Sequence, residues 1–214
     1  MVLNVRSIDS WCRRPWESCS GNCNYHGGWD SISFLDDRKC LENIQGIPVI
    51  GGLNDYISFK NSFEYAFVGI GNGKLRIEWL DKLLKAGFKI PVIIHPFSAI
   101  SKHCSIGEGT VVMPGVVINS SVKIGRGCIL NSGSSVDHDS IIDEGVHVSP
   151  GVHISGAVNI GRCSWLCVGS NISNNVTIGR NVIVAAGAAV INNVSDNLLV
   201  AGVPAITKKQ LGDE

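Results

Sequence analysis

An imidazole set between two carboxylates is the arrangement in this chain best suited to chemistry. It occurs in Asn131-Ser-Gly-Ser-Ser-Val-Asp-His138-Asp139. Acids on both sides favour the protonated ring and raise its basicity. That suits a general base taking a proton from a hydroxyl or an amine. A solvated surface histidine beside two acids would look the same, and these residues alone leave both readings open. Nine residues on, Ile141-Ile-Asp-Glu-Gly-Val-His147-Val-Ser-Pro-Gly151 carries a second candidate.

A six-residue period positions both histidines. Stepping by six from Ile100 to Val190 meets sixteen residues, every one Ile, Val or Leu, with no break in register. Four places after each comes a small residue or a valine, and glycine recurs nearby. Six fits neither the 3.6-residue helix nor the two-residue strand. It fits a triangular coil in which each side is one short strand and one turn, and sixteen hexads make about five coils. The aliphatic residues stack inside this prism. His138 is the third residue of its hexad, off the stacking position, so its ring is expected to face outward.

Composition narrows the rest. The 214 residues are 44% hydrophobic and 17% charged with zero formal net charge, enough for a sizeable core. No basic field points to nucleic acid. No stretch of about 18 apolar residues points to a membrane. Met1 to Ser10 shows no signal peptide. Eight cysteines then imply reduced thiols and a cytoplasmic location. Cys12, Cys19 and Cys23 match no zinc spacing. Cys104, Cys128, Cys163 and Cys167 fall inside the repeat and read as core packing.

The repeat resembles the hexapeptide-repeat acyltransferases, a left-handed parallel β-helix family that usually forms trimers. The run from His138 to Gly151 is similar to bacterial sugar O- and N-acetyltransferases of the sialic-acid and UDP-4-amino-sugar type. The resemblance implies acetyl-CoA-dependent transfer, without a metal, to a hydroxyl or amino group of a sugar or nucleotide sugar in surface-glycan synthesis. It implies that His138 is the catalytic base, that Asp139 raises its basicity and that His147 contacts acetyl-CoA. In unbroken register, two more acetyl-CoA positions fall on Val168 and Ala186. Ala201-Gly202-Val203-Pro204-Ala205 resembles the family's ending, which places Gly202 beside the CoA channel. A γ-carbonic anhydrase shares the prism, but His147 and His153 hold the same place in adjacent hexads and should diverge. A non-catalytic β-helix assembly protein and a serine acetyltransferase-like enzyme are the alternatives.

The domain organisation follows. Residues 29–95 read as a small Rossmann-like α/β unit: strands at Ser31–Leu35, Tyr65–Ile70 and Ile90–Ile94, a turn at Ile47–Gly52, and a helix at Lys74–Ala86. That helix should bury Leu75, Trp79, Leu80, Leu83 and Leu84. Phe-Leu-Asp36-Asp37 and Ile-Gly71-Asn resemble the family's acceptor-binding segments, so Asp36, Asp37 and Gly71 are the implied acceptor contacts. Residues 96–205 form the β-helix and 206–214 a tail.

Residues 1–28 are atypical, and the sequence predicts them poorly ordered. The family opens with an apolar strand and a glycine turn, which leaves this α/β domain incomplete at its N-terminus. Both tryptophans in Trp11-Cys-Arg-Arg-Pro-Trp16-Glu-Ser-Cys give glycine when the code is read one base later. The shifted frame permits Gly-Ala-Val-Gly-His-Gly-Lys-Val-Val, the missing phosphate loop. This points to a frameshifted reading from before Trp11 to about Gly27, with a divergent leader as the alternative.

Overall fold

The structure is a computed structural model that describes residues 2–5 (main chain), 31–38 and 42–212. From Ile93 onward, two-residue strands recur every six residues and stack in parallel into three sheets. The first face stacks Ala99–Ile100, Val117–Ile118, Ser135–Val136, His153–Ile154, Asn171–Ile172 and Ala189–Val190. The second stacks Ser105–Ile106, Lys123–Ile124, Ile141–Ile142, Asn159–Ile160 and Thr177–Ile178. The third runs through Ile93–Ile94, Val111–Val112, Ile129–Leu130, His147–Val148, Trp165–Leu166 and Ile183–Val184, and closes on Leu198–Ala201 and Ile206–Gln210. This is the left-handed hexapeptide prism expected from the period.

The period explains the stacking. Residues eighteen apart are direct neighbours, as His147 and Trp165 are. The second residue of most strands points inward, and Val112, Leu130, Val136, Val148 and Leu166 are fully buried. Each such aliphatic side chain contributes about 1.5–3 kcal/mol when buried. Main-chain bonds climb from rung to rung, for example Ile129 N–H to the Val146 carbonyl at 3.0 Å. At the corners a buried hydroxyl serves the next rung: Ser164 Oγ donates to the Gly179 carbonyl at 2.7 Å and accepts from Val182 N–H at 3.0 Å.

Three expectations need correction here. The coil begins at Ile93, one hexad before Ile100. The segment read as a tail is partly structured, because Ile206–Gln210 pairs antiparallel with Leu198–Ala201. Of the four repeat cysteines, Cys128 is fully buried and Cys104 is half-buried against the core, as read, whereas Cys163 and Cys167 are partly exposed and outside it. Cys163 and Cys167 occupy turns, where side chains need not enter the stack.

The N-terminal unit is a five-stranded sheet of β1 (Val2–Val5), β2 (Ile32–Leu35), β3 (Asn43–Ile44), β4 (Ile47–Gly51) and β5 (Tyr65–Val68). Their order is β3-β4-β2-β1-β5. The region read as a turn is thus β4, parallel to β2. The first strand expected to be missing is also present in outline. Val2–Val5 fills the slot between β2 and β5 and runs antiparallel to both. An empty slot would leave the facing N–H and C=O groups of two strands unpaired. Trp11 to Gly27, with Cys12, Cys19 and Cys23, lies outside the described residues.

Helix α1 (Gly73–Lys85) carries this unit on the prism. Asn72 caps it, its Oδ1 accepting from Leu75 N–H at 3.0 Å. The buried face is Arg76, Ile77, Trp79, Leu80 and Leu83, whereas Leu75 is 41% exposed. The buried arginine is a correction to the sequence reading. Its side chain reaches main-chain acceptors that no helical period reveals. α1 seats on the corner between the second and third faces, where glycines make room. A Cβ on Gly127 would meet Leu80 Cδ1 at 2.6 Å. Arg126 adds an ion pair to Asp81 of α1 and another to Glu144, both 2.6 Å.

Candidate active site

His138 lies on the corner between the first and second faces, outside the stack, as its hexad place predicts. Its Nδ1 is 2.9 Å from Asp139 Oδ2. Asp137 Oδ1 accepts from His138 N–H at 2.8 Å and from Asn119 Nδ2 at 2.7 Å. The hydrogen bond to Asp139, with the charge of Asp137 behind it, raises the pKa of the imidazole. A carboxylate on Nδ1 favours the tautomer that leaves the Nε2 lone pair available as a base. The ring lies over Gly156, one rung on, where a Cβ would come within 2.7 Å of Nε2. Sequence reasoning missed Gly156, although counting eighteen from His138 lands on it.

His147 sits in a different setting. It projects from the third face and stacks nearly parallel on Trp165, ring centroids 5.7 Å apart. Trp165 is fixed in turn by its Nε1–H, which donates to Ser149 Oγ at 2.8 Å. Burial, and then the charge of Arg76, push the His147 pKa down to about 4, so the ring is neutral near pH 7. Its Nε2 is buried without a hydrogen-bond partner. Such an orphan is costly unless something completes it, and a polar atom of a bound ligand would do so.

A cavity of about 760 Å³ opens beside these rings, between the start of α1 and the third face. Gly71, Asn72, Gly145, His147, Trp165 and Asn181 contribute to its walls. Its size suits a small-molecule substrate. Of the residues singled out from sequence, it gathers Gly71 and His147. Asp36 and Asp37 stand off its walls. Asp36 takes a two-pronged contact from Arg38, at 2.9 and 2.8 Å, which holds its carboxyl at about 2. Asp37 Oδ1 accepts from Leu53 N–H at 2.8 Å. Val168 and Ala186, both exposed, stack with Gly202 on the corner between the third and first faces.

The predicted site is therefore divided. The corner bearing His138 lies opposite the third face, with the aliphatic stack between them. Within one chain His138 cannot meet the cavity that holds Gly71 and His147. His147 and His153 lie on different faces, as expected. Among the described residues, no three His, Cys, Asp or Glu side chains are grouped to hold a metal. No described helix is long and apolar enough to cross a membrane.

Comparison with known proteins adds the following. Residues 22–83 match the family described as PglD N-terminal domain. A GDP-perosamine N-acetyltransferase of Escherichia coli O157:H7 is 30% identical over 109 residues, covering 51% of this chain. That match spans about half of the relative, 49% of its length. The acetyltransferase domain of PglB from Neisseria gonorrhoeae FA1090, solved with acetyl coenzyme A, is 35% identical with a TM-score of 0.82. The alignment covers 85% of this chain and 88% of that one. A His-to-Asn mutant of perosamine N-acetyltransferase from Caulobacter crescentus, solved with CoA and GDP-perosamine, is 33% identical with a TM-score of 0.81. There the coverage is 84% and 85%.

Proposed function

We propose that this chain, which belongs to the bacterial hexapeptide-repeat sugar acetyltransferases, moves an acetyl group from acetyl-CoA to an amino group of a nucleotide-linked sugar in surface-glycan synthesis. The observation that carries the reading is His138, an outward imidazole whose Nδ1 is held by a carboxylate. Amino rather than hydroxyl acceptors are favoured because similar proteins are named as perosamine N-acetyltransferases.

In this reading His138 Nε2 removes the proton from the acceptor as its nitrogen attacks the thioester carbonyl. The new C–N bond forms, the C–S bond breaks, and the CoA thiolate leaves. His147 completes its buried Nε2 on a polar atom of acetyl-CoA, and Val168, Ala186 and Gly202 border the cofactor arm. Asp36, Asp37 and Gly71 serve the acceptor. For the two carboxylates this requires the nucleotide to share Asp36 with Arg38 or to reach past the Leu53 contact.

A homotrimer answers the divided site. A ring of three prisms, closed by one repeated contact, lets the His138 corner of one copy face the cavity of the next. We place the enzyme in the cytoplasm, where its acetyl donor is made. The domain reading goes with it, its boundary moved to Ile93: 29–92 binds acceptor, 93–205 binds acetyl-CoA, and residues from before Trp11 to about Gly27 are a frameshifted reading. The family match leaves out residues 1–21, which together with the reversed β1 supports a shifted frame as far as Gly21; over 22–27 the match speaks for the frame as it stands.

The test is release of CoA thiol from acetyl-CoA with GDP-, UDP- and dTDP-linked amino sugars, and with serine, using this chain and a version with the frame restored. Acceptor-dependent release is expected, larger with the restored frame. No release from either chain with any acceptor would leave the non-catalytic assembly protein standing, and release with serine alone would move the enzyme to the serine acetyltransferases.

A further inference from the structure

Among the described residues, Arg76 is the only charged side chain that is buried, at 1% exposure. Its hydrogen bonds run to four main-chain carbonyls rather than to a carboxylate. Nη1 donates to Ile70 and Gly71 at 2.7 and 2.8 Å, Nε to Gly127 at 2.6 Å, and Nη2 to Gly145 at 2.8 Å. The first pair belongs to the loop between β5 and α1. The second pair belongs to the prism corner on which α1 sits. Gly71, on the loop, and Gly145, on the coil, both line the cavity.

We infer that Arg76 is a positioning residue that sets the distance between the acceptor loop Ile70–Asn72 and the coil that carries His147; this rests on the proposed acetyl transfer in that cavity. A guanidinium is planar with five donors in fixed directions, so it can hold two walls at one spacing. Lysine cannot, because its three donors spread from one point. The geometry is enforced, since a buried cation that loses its acceptors is expensive. Gly73 closes the same gap from the other side. A Cβ there would lie 2.5 Å from the Gly145 carbonyl oxygen. The guanidinium also adds to the burial that keeps His147 neutral. Two properties of the site, its width and the state of one ring, thus meet in a side chain that touches neither substrate.

Three variants test this: Arg76→Lys keeps the charge, Arg76→Met removes it, and Gly73→Ala wedges the walls apart with Arg76 intact. The measurements are KM for acceptor and for acetyl-CoA, and the His147 pKa by NMR titration. Arg76→Lys and Gly73→Ala are expected to raise the acceptor KM by about 10-fold or more, well beyond any change for acetyl-CoA. Arg76→Met alone should move the His147 pKa upward. Folded Arg76→Lys and Gly73→Ala proteins with an acceptor KM within about twofold of the parent would overturn the inference. If the Arg76 variants do not fold, Gly73→Ala decides by itself. If the parent transfers acetyl to no acceptor, the proposed function fails separately. Amide exchange over Ile70–Gly73 then decides the clamp: it should quicken in Arg76→Lys, and unchanged exchange refutes it.

Discussion

His138 occupies a solvent-facing corner, whereas His147 lies on the third face beneath Trp165. The corner places a carboxylate against one ring nitrogen and raises the pKa. The face packs an indole on the other ring and drives its pKa down to about 4. One residue type on one prism thus becomes a proton acceptor in the first place and a neutral, partly buried group in the second. What separates them is phase within the six-residue unit and the neighbour one rung away.

The largest break in that contrast comes from deleting the base. His138→Ala should keep the prism, because the side chain lies outside the stack, and should lower turnover by about 10²–10⁴-fold. Near-normal turnover by the thiol-release assay would take the role from His138. The raised pKa also sets the direction of the pH profile. A base works when unprotonated, so the rate should fall as pH falls through the His138 pKa. Asp139→Asn should shift that limb to lower pH, and an unmoved limb would show that the Asp139 contact does not govern the ring.

A smaller effect is expected from the neighbouring rung. Gly156→Ala would set a Cβ 2.6 Å from His138 Cε1, so the ring must turn away. Turnover should drop by about 10-fold or more with little change in thermal midpoint. Unchanged turnover would mean that the imidazole works in another rotamer.

The smallest effect sharpens the other half of the contrast. His147 has a folded pKa below its ordinary value, so the unfolded chain binds the proton first. Its contribution to stability is present above the ordinary value of 6.5 and is lost as pH falls toward about 4. The loss amounts to at most about 3 kcal/mol. Trp165→Leu opens the ring to water and should move its pKa up, shrinking that acid-side loss. Denaturant unfolding of both proteins at pH 7 and pH 4.5 measures it, and equal losses would reject the desolvation account.

The amino-acid sequence by itself determined the prism and the outward place of His138. A period of six survives any change in the rest of the molecule, because each rung is built from its own residues and repeats the one before. The opposition of His138 and His147 was also latent in it, since steps of eighteen assign every residue to a face. The α/β unit has no such repeat. Whether Leu75 or Arg76 is buried on α1, and whether Ile47–Gly51 turns or pairs, depended on what packs against them. The carbonyls of Gly127 and Gly145 lie 51 and 69 residues from Arg76. Tertiary structure alone decided that contact, because helical propensity and periodicity register which side chains share a face and carry no information about the backbone acceptors a distant coil will present.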